Sequence, residues 1–527
     1  MSRQISKALG MDAIFDLIEA PGEFLQDVKS RELKRQTFKY SEARQIYARL
    51  EKLLALLRDE EDLLRLLREL FAHIPKPSFP AKQTSGPLAL HEFFLLKEFL
   101  YHYQNLHGLV RKQGLKDHFP LPDLGDVFKL LDPEGNGLPS FRIYAAYSAK
   151  LGDLLDKRLQ LASKLKHARA RFLEEARREL QIPQLKEEFT FSRANSALAE
   201  RILHSPFFVL SSENVANYSF ILADDDACLD LKRQLSKVAE KLEKEEERVL
   251  KDLSRKVFKE LPMLREARQI LEQTGWLFVL ADFALKHDCG IPRITRKPVI
   301  RVKQAVNLPL KLHLEEIGRR FQKVDYAFDQ SVSLLTGPNM GGKTTILKTV
   351  GQLCCLARMG IPLPCKKAEL PVFAHIWYNQ DDLDSSADLS SFGKEVVSFT
   401  QALQEEGRTL FLLDEFARGT NPAEGELLAS AVLRHLATTD HMCVAATHFT
   451  APAMLDNLAQ YSIAGLDASA LKDHRPISPT QRLKVLSEAM DYSLKRLKKN
   501  QEPPLSAIRV ARILGLPAPI LKYTEKE

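Results

Sequence analysis

The stretch LLTGPNMGGKTTILKTV, residues 334–350, holds Gly337, four further residues, and then Gly342-Lys343-Thr344. The apolar run 331–335 is expected to form a strand, and 344–358 a helix. Glycines let the backbone curl until its N–H groups face phosphate oxygens, and the helix that follows adds the positive end of its dipole. Gly337, Pro338, Asn339, Met340, Gly341, Gly342, Lys343, Thr344 and Thr345 are therefore the expected ATP-binding loop. Lys343 is placed to neutralise the β and γ phosphates, and the Thr344 hydroxyl to ligate Mg²⁺.

Two later strand ends supply partners. In TLFLLDEF, residues 409–416, an apolar strand at 410–413 ends in two carboxylates. Asp414 suits the Mg²⁺ shell, and Glu415 is placed to orient or deprotonate an attacking water. VAATH, residues 444–448, reads as another strand ending in His448, where an imidazole can sense the γ-phosphate. Catalysis is thus expected from Glu415, His448 and Lys343, with Thr344 and Asp414 as the metal ligands. From about Thr295 onward, strand-like segments such as PVIRVKQAV alternate with helices, the signature of an α/β domain with a parallel sheet.

The rest of the chain reads differently. A length of 527 residues calls for two or three cores. Over residues 43–70 the apolar positions Ile46, Leu50, Leu53, Leu57, Leu64 and Leu67 form the stripe of an amphipathic helix. Another helix is expected from about His91 to Val110, before the turn-rich LDPEGNGLPS. Two long charged helices follow, at about 144–180 and 227–261. Both have heptad-like spacing, so they can pair antiparallel as an arm of roughly 45–50 Å. Between them, residues 181–226 read as short strands and turns. There Lys186, Arg193 and Arg201 face seven carboxylates (Glu187, Glu188, Glu200, Glu213, Asp224, Asp225 and Asp226), a net charge of −4.

Composition adds bounds. Hydrophobic residues make up 45% and charged residues 28%, as in a globular protein in water. The sequence lacks an apolar run near 18 residues and a signal-like start, so a cytoplasmic protein without a membrane span is expected. The six cysteines form no C-x-x-C pair and read as buried thiols rather than a zinc site. The net charge of +7 permits nucleic-acid binding without demanding it.

The segments GPNMGGKTT, DEFARGT and ATH resemble the P-loop, Walker B region and histidine switch of MutS ATPases. DDLDSSADLSSFGKE, residues 381–395, resembles that family's DDL…STFxxE segment, in which a serine reaches across a dimer to the partner's nucleotide. On that pattern Ser390 is the best trans-acting candidate, with Ser391, Phe392 and Glu395 matching the next positions of the segment at the dimer interface. Gly419, Thr420 and Asn421 match a loop at the dimer interface. AIRVARILGLP, residues 507–517, resembles the family's closing helical unit.

The resemblance implies an α/β P-loop NTPase domain of the ABC/MutS type, preceded by a mostly α-helical core with long antiparallel lever helices. The expected layout is a helical core over 1–143 and levers with a reduced clamp-like tip (181–226) over 144–295. An ATPase domain then covers 296–470, and a helical dimerisation unit 471–527. It further implies a homodimer through the ATPase domains, with ATP and Mg²⁺ driving the gripping and release of a client. The start GMDAIFDLIEAP holds Phe15 but no mismatch-reading Phe-x-Glu, and no connector or Smr segment is read, so autonomous mismatch reading is not expected. Two clients fit: duplex or branched DNA, favoured by family frequency and stretches such as KLKHARARF, or a protein. The second reading is a reactivation chaperone for an adenosylcobalamin-dependent amino acid mutase of the lysine/ornithine aminomutase type, favoured by the acidic tip, because DNA phosphates are bound by Lys and Arg.

Overall fold

The computed structural model describes residues 3–35, 39–76, 86–193, 196–337, 341–379, 391–449, 458–466, 489–497 and 507–521, together with Pro452 and Leu455. The chain divides into two units. One comprises Met1–His73, Gly114–Pro120 and Ile270–Glu527; the other comprises Ile74–Gln113 and Leu121–Gln269.

The first unit opens on α1 (Arg3–Ala8), α2 (Met11–Asp16) and α3 (Gly22–Glu32). The stripe expected as one helix over 43–70 folds as two, α4 (Tyr40–Leu57) and α5 (Glu61–His73). The cause lies in the run Arg58-Asp-Glu-Glu-Asp62. Acidic side chains oppose the negative end of α4 and favour the positive end of a new helix. Leu50, Leu53, Leu57 and Leu67 are buried as the stripe requires. Phe71 stacks on Phe278 at 5.0 Å, and Arg68 forms a forked ion pair with the buried Asp282.

The second unit contains α6 (Leu90–Lys112), α7 (Gly125–Leu131), α8 (Ala149–Leu180), β1 (Glu188–Ser192), α9 (Ser196–Leu203), β2 (Phe208–Glu213), β3 (Asn217–Leu222) and the start of α10 (Asp226–Lys286). The strands form an antiparallel sheet in the order β1-β3-β2. Phe207, Phe208, Phe220 and Ile202 pack with Leu173, Ala176 and Leu180 of α8. α8 and α10 run antiparallel. Ser148 and Lys150, at the start of α8, meet Glu245, while Arg169, further along it, meets Asp224 just before α10. α10 does not stop near Leu261 as the sequence suggested, but passes through Pro262 to Lys286. Proline inside a helix costs about 3 kcal/mol. Burial of Leu264, Ala267, Leu271, Phe278 and Leu280 beyond it offsets that cost.

The remainder of the first unit is α/β. After β4 (Arg293–Ile294) come β5 (Ile300–Ala305), α11 (Leu308–Glu316), β6 (Val324–Phe328), β7 (Val332–Thr336), α12 (Lys343–Arg358), β8 (Lys367–Leu370) and β9 (His375–Tyr378). Next are α13 (Ser391–Gln404), β10 (Thr409–Asp414), α14 (Pro422–Ala437), β11 (Met442–Ala446), β12 (Ala459–Leu466) and β13 (Met490–Arg496), then short helices at Ala507–Leu514 and Ala518–Leu521. β4, β8, β5 and β6 form a small sheet; the principal sheet runs β13-β12-β7-β11-β10-β9. Its strands are parallel from β9 to β12, and β13 is antiparallel. β7 and β11 are buried at every position, which explains their unbroken apolar sequences. β13 lies in a stretch expected to be helical; its pairing with β12 makes it a strand.

Helix α12 is held from the N-terminal side. Gln352 Nε2 donates to the Leu9 carbonyl at 2.7 Å, and the Tyr47 hydroxyl to the Ile361 carbonyl at 2.9 Å. Gly351 allows the approach: a Cβ there would lie 2.7 Å from Leu9 and 2.8 Å from Leu412. The six cysteines are free and buried. Among the described residues no helix is long and apolar enough to cross a membrane.

In the second unit, hydrogen bonds from Arg248 and Ser148, with Lys150 beside them, hold the Glu245 carboxyl down at about 2, below its ordinary 4.5. The stability this contributes is complete above about pH 4.5 and is lost as pH falls toward 2. Glu245→Gln should cost about 1–2 kcal/mol at pH 7, reduced by the solvent exposure of its partners. The gap from wild type, measured by denaturant unfolding, should shrink at pH 3.

Candidate functional site

Strand register builds the site. Leu335 on β7 lies beside Ala446 on β11, and Ala446 beside Asp414 on β10. The three strands are parallel, so Gly337, His448 and Glu415 all emerge at their carboxyl edge, where open α/β sheets bind ligands. Gly337 has φ 137° and Gly342 has φ 84°; both lie in the region that disfavours side chains. Gly342 caps α12, which begins one residue earlier than expected, at Lys343.

Lys343 is buried, and its ammonium donates to the Gly337 carbonyl at 2.9 Å. It also lies 3.3 Å from His448 Nε2. The same Nε2 is 2.7 Å from Glu415 Oε1. A ring nitrogen can offer a lone pair to Lys343 or a proton to Glu415, but not both at once. Burial lowers the Lys343 pKa, while Glu415 and Asp414 oppose that shift. Burial disfavours the charged ammonium and the two nearby carboxylates favour it.

The turn after β10 is strained. Glu415 and Ala417 have φ 54° and 64°, left-handed values that cost about 1–3 kcal/mol each in non-glycine residues. Surrounding hydrogen bonds hold it. Asn379 accepts from the Asp414 N–H at 2.5 Å and donates to the Asp414 carbonyl at 2.9 Å and to Glu395 Oε1 at 2.7 Å. Glu395 Oε2 accepts from the Ala417 N–H at 3.1 Å. Tyr378 donates to Asp414 Oδ2 at 3.3 Å; burial, with Asp414 nearby, raises its pKa. Arg418 reaches Glu415 Oε2 at 2.7 Å. Below the turn, Phe416 packs on Phe399, which also touches Trp377.

The other expected residues are placed as follows. Gly341 is buried, Thr344 exposed and Thr345 partly buried at the head of α12. Gly419 and Thr420 lie in the turn before α14, and Asn421 caps that helix by accepting from the Ala423 N–H at 3.0 Å. Pro338, Asn339, Met340 and Ser390 lie outside the described residues, as does the Ser391 side chain, although its backbone starts α13. Sequence reading missed Asn379 and Tyr378, whose only signal is their position at the end of a strand beside β10. It also missed Tyr492 on β13, whose ring lies against Gly342: a Cβ on that glycine would approach it to 3.1 Å.

Residues 333–527 match the family described as MutS domain V. The chain is similar to endonuclease MutS2 of Caldanaerobacter subterraneus subsp. tengcongensis, 29% identical over 269 residues that cover 48% of this chain and 32% of the relative. It is also similar to endonuclease MutS2 of Shouchella clausii, 33% identical over 265 residues, 49% of this chain and 32% of that one. For endonuclease MutS2 of Brevibacillus brevis the identity is 26% over 328 residues, 60% of this chain and 38% of the relative. The chain spans about a third of the length of these curated relatives.

Asn379→Ala removes three hydrogen bonds from the strained turn. Steady-state ATPase kinetics should show kcat lowered by about tenfold or more with KM within about threefold, because positioning rather than ground-state binding is lost. An unchanged kcat would contradict the bracing role.

Proposed function

We propose, from the premise that this chain is a MutS-family ATPase, that it is a dimeric ATP-driven switch acting on duplex or branched DNA. The observation that carries the reading is the convergence of Lys343, Glu415 and His448 at adjacent ends of parallel strands. Residues 337–345 cradle the phosphates, and Lys343 exchanges the Gly337 carbonyl for β and γ oxygens. The donors at the head of α12 and the end of β10 are oxygens, from Thr344 and Asp414, a set that fits Mg²⁺. The ion would supply charge neutralisation at the phosphates. Glu415 orients the attacking water and takes its proton. His448 holds Glu415 until the γ-phosphate draws its Nε2 away. Rate enhancement comes from positioning and charge neutralisation.

Two such domains would meet head to tail as a homodimer, with Ser390 and Ser391 facing the partner's nucleotide and Gly419, Thr420 and Asn421 at the seam. ATP binding joins the pair; hydrolysis loosens it, and the paired helices α8 and α10 transmit the change to the client.

DNA is supported as client by the net charge of +7 and by similarity to proteins named endonucleases. The acidic tip is a weaker objection than the sequence suggested. Arg169 pairs with Glu187 and Asp224, and Lys232 with Asp224, two cations from the flanking helices that the count of −4 leaves out.

Lys343→Ala should abolish turnover; a normal rate would sink the phosphate-site assignment. Glu415→Ala should still bind ATP but hydrolyse it at least about 100-fold more slowly, trapping the joined dimer. Rapid hydrolysis by this variant would remove Glu415 from its role.

Ser390→Ala should lower turnover with little loss of ATP binding. Mixing it with Lys343→Ala tests action in trans. Turnover recovered above the sum of the separate variants supports a composite site, and none recovered counts against it.

A further inference from the structure

The unit that carries the ATPase site has a second cation-lined hollow, which the proposed ATP cycle does not use. It is an open hollow of about 380 Å³, lined in part by Tyr40, Arg44, Tyr47, Glu51, Arg293 and Thr295. The wall is firmly built where Tyr47, itself buried, is tied to the Ile361 carbonyl at 2.9 Å. Two guanidinium groups lie against the Tyr40 ring, with Arg44 Cζ 5.8 Å and Arg296 Cζ 5.0 Å from its centroid. Such cation–π contacts hold a guanidinium in place without consuming its N–H fork.

The charges in and beside this hollow are unbalanced. Among the described residues, neither Arg44, Arg293 nor Arg296 forms an ion pair. Arg293 lies beside Glu369 in the β4–β8 register, but Glu369 Oε2 is taken by Arg301 at 3.2 Å. Arg408 adds a fourth cation. Its donors go to the backbone carbonyls of Arg296 and Asp440, both at 2.9 Å, and among the described residues it has no carboxylate in an ion pair. Among the described residues, Glu51 is the one carboxylate on the wall. Like charges gathered without counter-charges repel one another, and the repulsion is relieved when an anion enters.

We propose that this hollow binds a phosphate ester the size of one nucleotide, with Arg44 and Arg293 forked onto the phosphate oxygens. Guanidinium geometry matches phosphate in two-pronged fashion. The volume lies in the range of about 300–1,000 Å³ typical of small-ligand sites. Glu51 is available to accept from an N–H or O–H of the base or sugar. The phosphate can come from a DNA strand or from a free nucleotide. The proposal does not depend on the ATPase reading.

The test uses the full chain with its phosphate-binding loop saturated by ADP and Mg²⁺. Two probes are titrated separately, a fluorescein-labelled 12-nucleotide DNA strand followed by anisotropy and AMP followed by calorimetry. Arg44→Gln/Arg293→Gln should weaken at least one probe by about tenfold or more, with basal ATP turnover unchanged as a check on folding. For the strand, the slope of log affinity against log salt should also fall by about 1–2. Loss for the strand identifies a phosphodiester, and loss for AMP alone a free nucleotide. Arg44→Gln alone, a change on an exposed helix position, should give a smaller loss of the same kind and serves if the double variant does not fold. Equal binding of both probes by wild type and variants, or no binding to wild type, overturns the proposal.

Discussion

One imidazole nitrogen, His448 Nε2, lies between a buried ammonium and a carboxylate, 3.3 Å from Lys343 and 2.7 Å from Glu415. It can serve only one of them at a time; in the proposed function this would couple the occupancy of the phosphate site to the freedom of Glu415. Most of the neighbouring architecture fixes these atoms. Parallel register sets the strand ends level, Gly337 and Gly342 bring the backbone round, and Asn379 with Glu395 holds the left-handed turn that aims Glu415.

A P-loop helix needs support on the side away from its ligand. Here the N-terminal helices supply it: Gln352 and Tyr47 tie α12 and the residues after it to Leu9 and α4, and Gly351 lets Leu9 reach the helix surface. The helical segments at the start of the chain are thus part of the unit that carries the site. In the other unit, Glu245 gathers Ser148, Lys150 and Arg248 around one buried carboxylate, and Arg169 meets Asp224 further along. These contacts fix the antiparallel register of α8 against α10.

Much of this was legible in the sequence. The buried strands β7, β10 and β11 announce themselves as continuous apolar runs, and the residues after them are those proposed to carry the chemistry. The long helices follow from heptad spacing. What was hidden depends on three-dimensional context. Asn379 looks like an ordinary turn residue until β10 lies beside it. The stretch that forms β13 was expected to be helical from the family resemblance rather than from its own pattern, and its pairing with β12 makes it a strand. The division between α4 and α5 turned on acidic residues inside an otherwise unbroken stripe, and α10 continued through Pro262 because of burial that local sequence does not display. The tip's charge was counted correctly, but Arg169 and Lys232, which neutralise part of it, come from the flanking helices.

The central claim, an ATP-driven switch acting on DNA, is tested most directly by the steady-state ATPase rate with and without DNA. Homoduplex, mismatched and branched duplexes would be compared at low and physiological salt. The account predicts stimulation that depends on DNA structure and fades as salt rises, since phosphate contacts release counterions. Steady turnover indifferent to every DNA would contradict it and leave a protein client, such as a cobalamin-dependent mutase, as the reading to pursue.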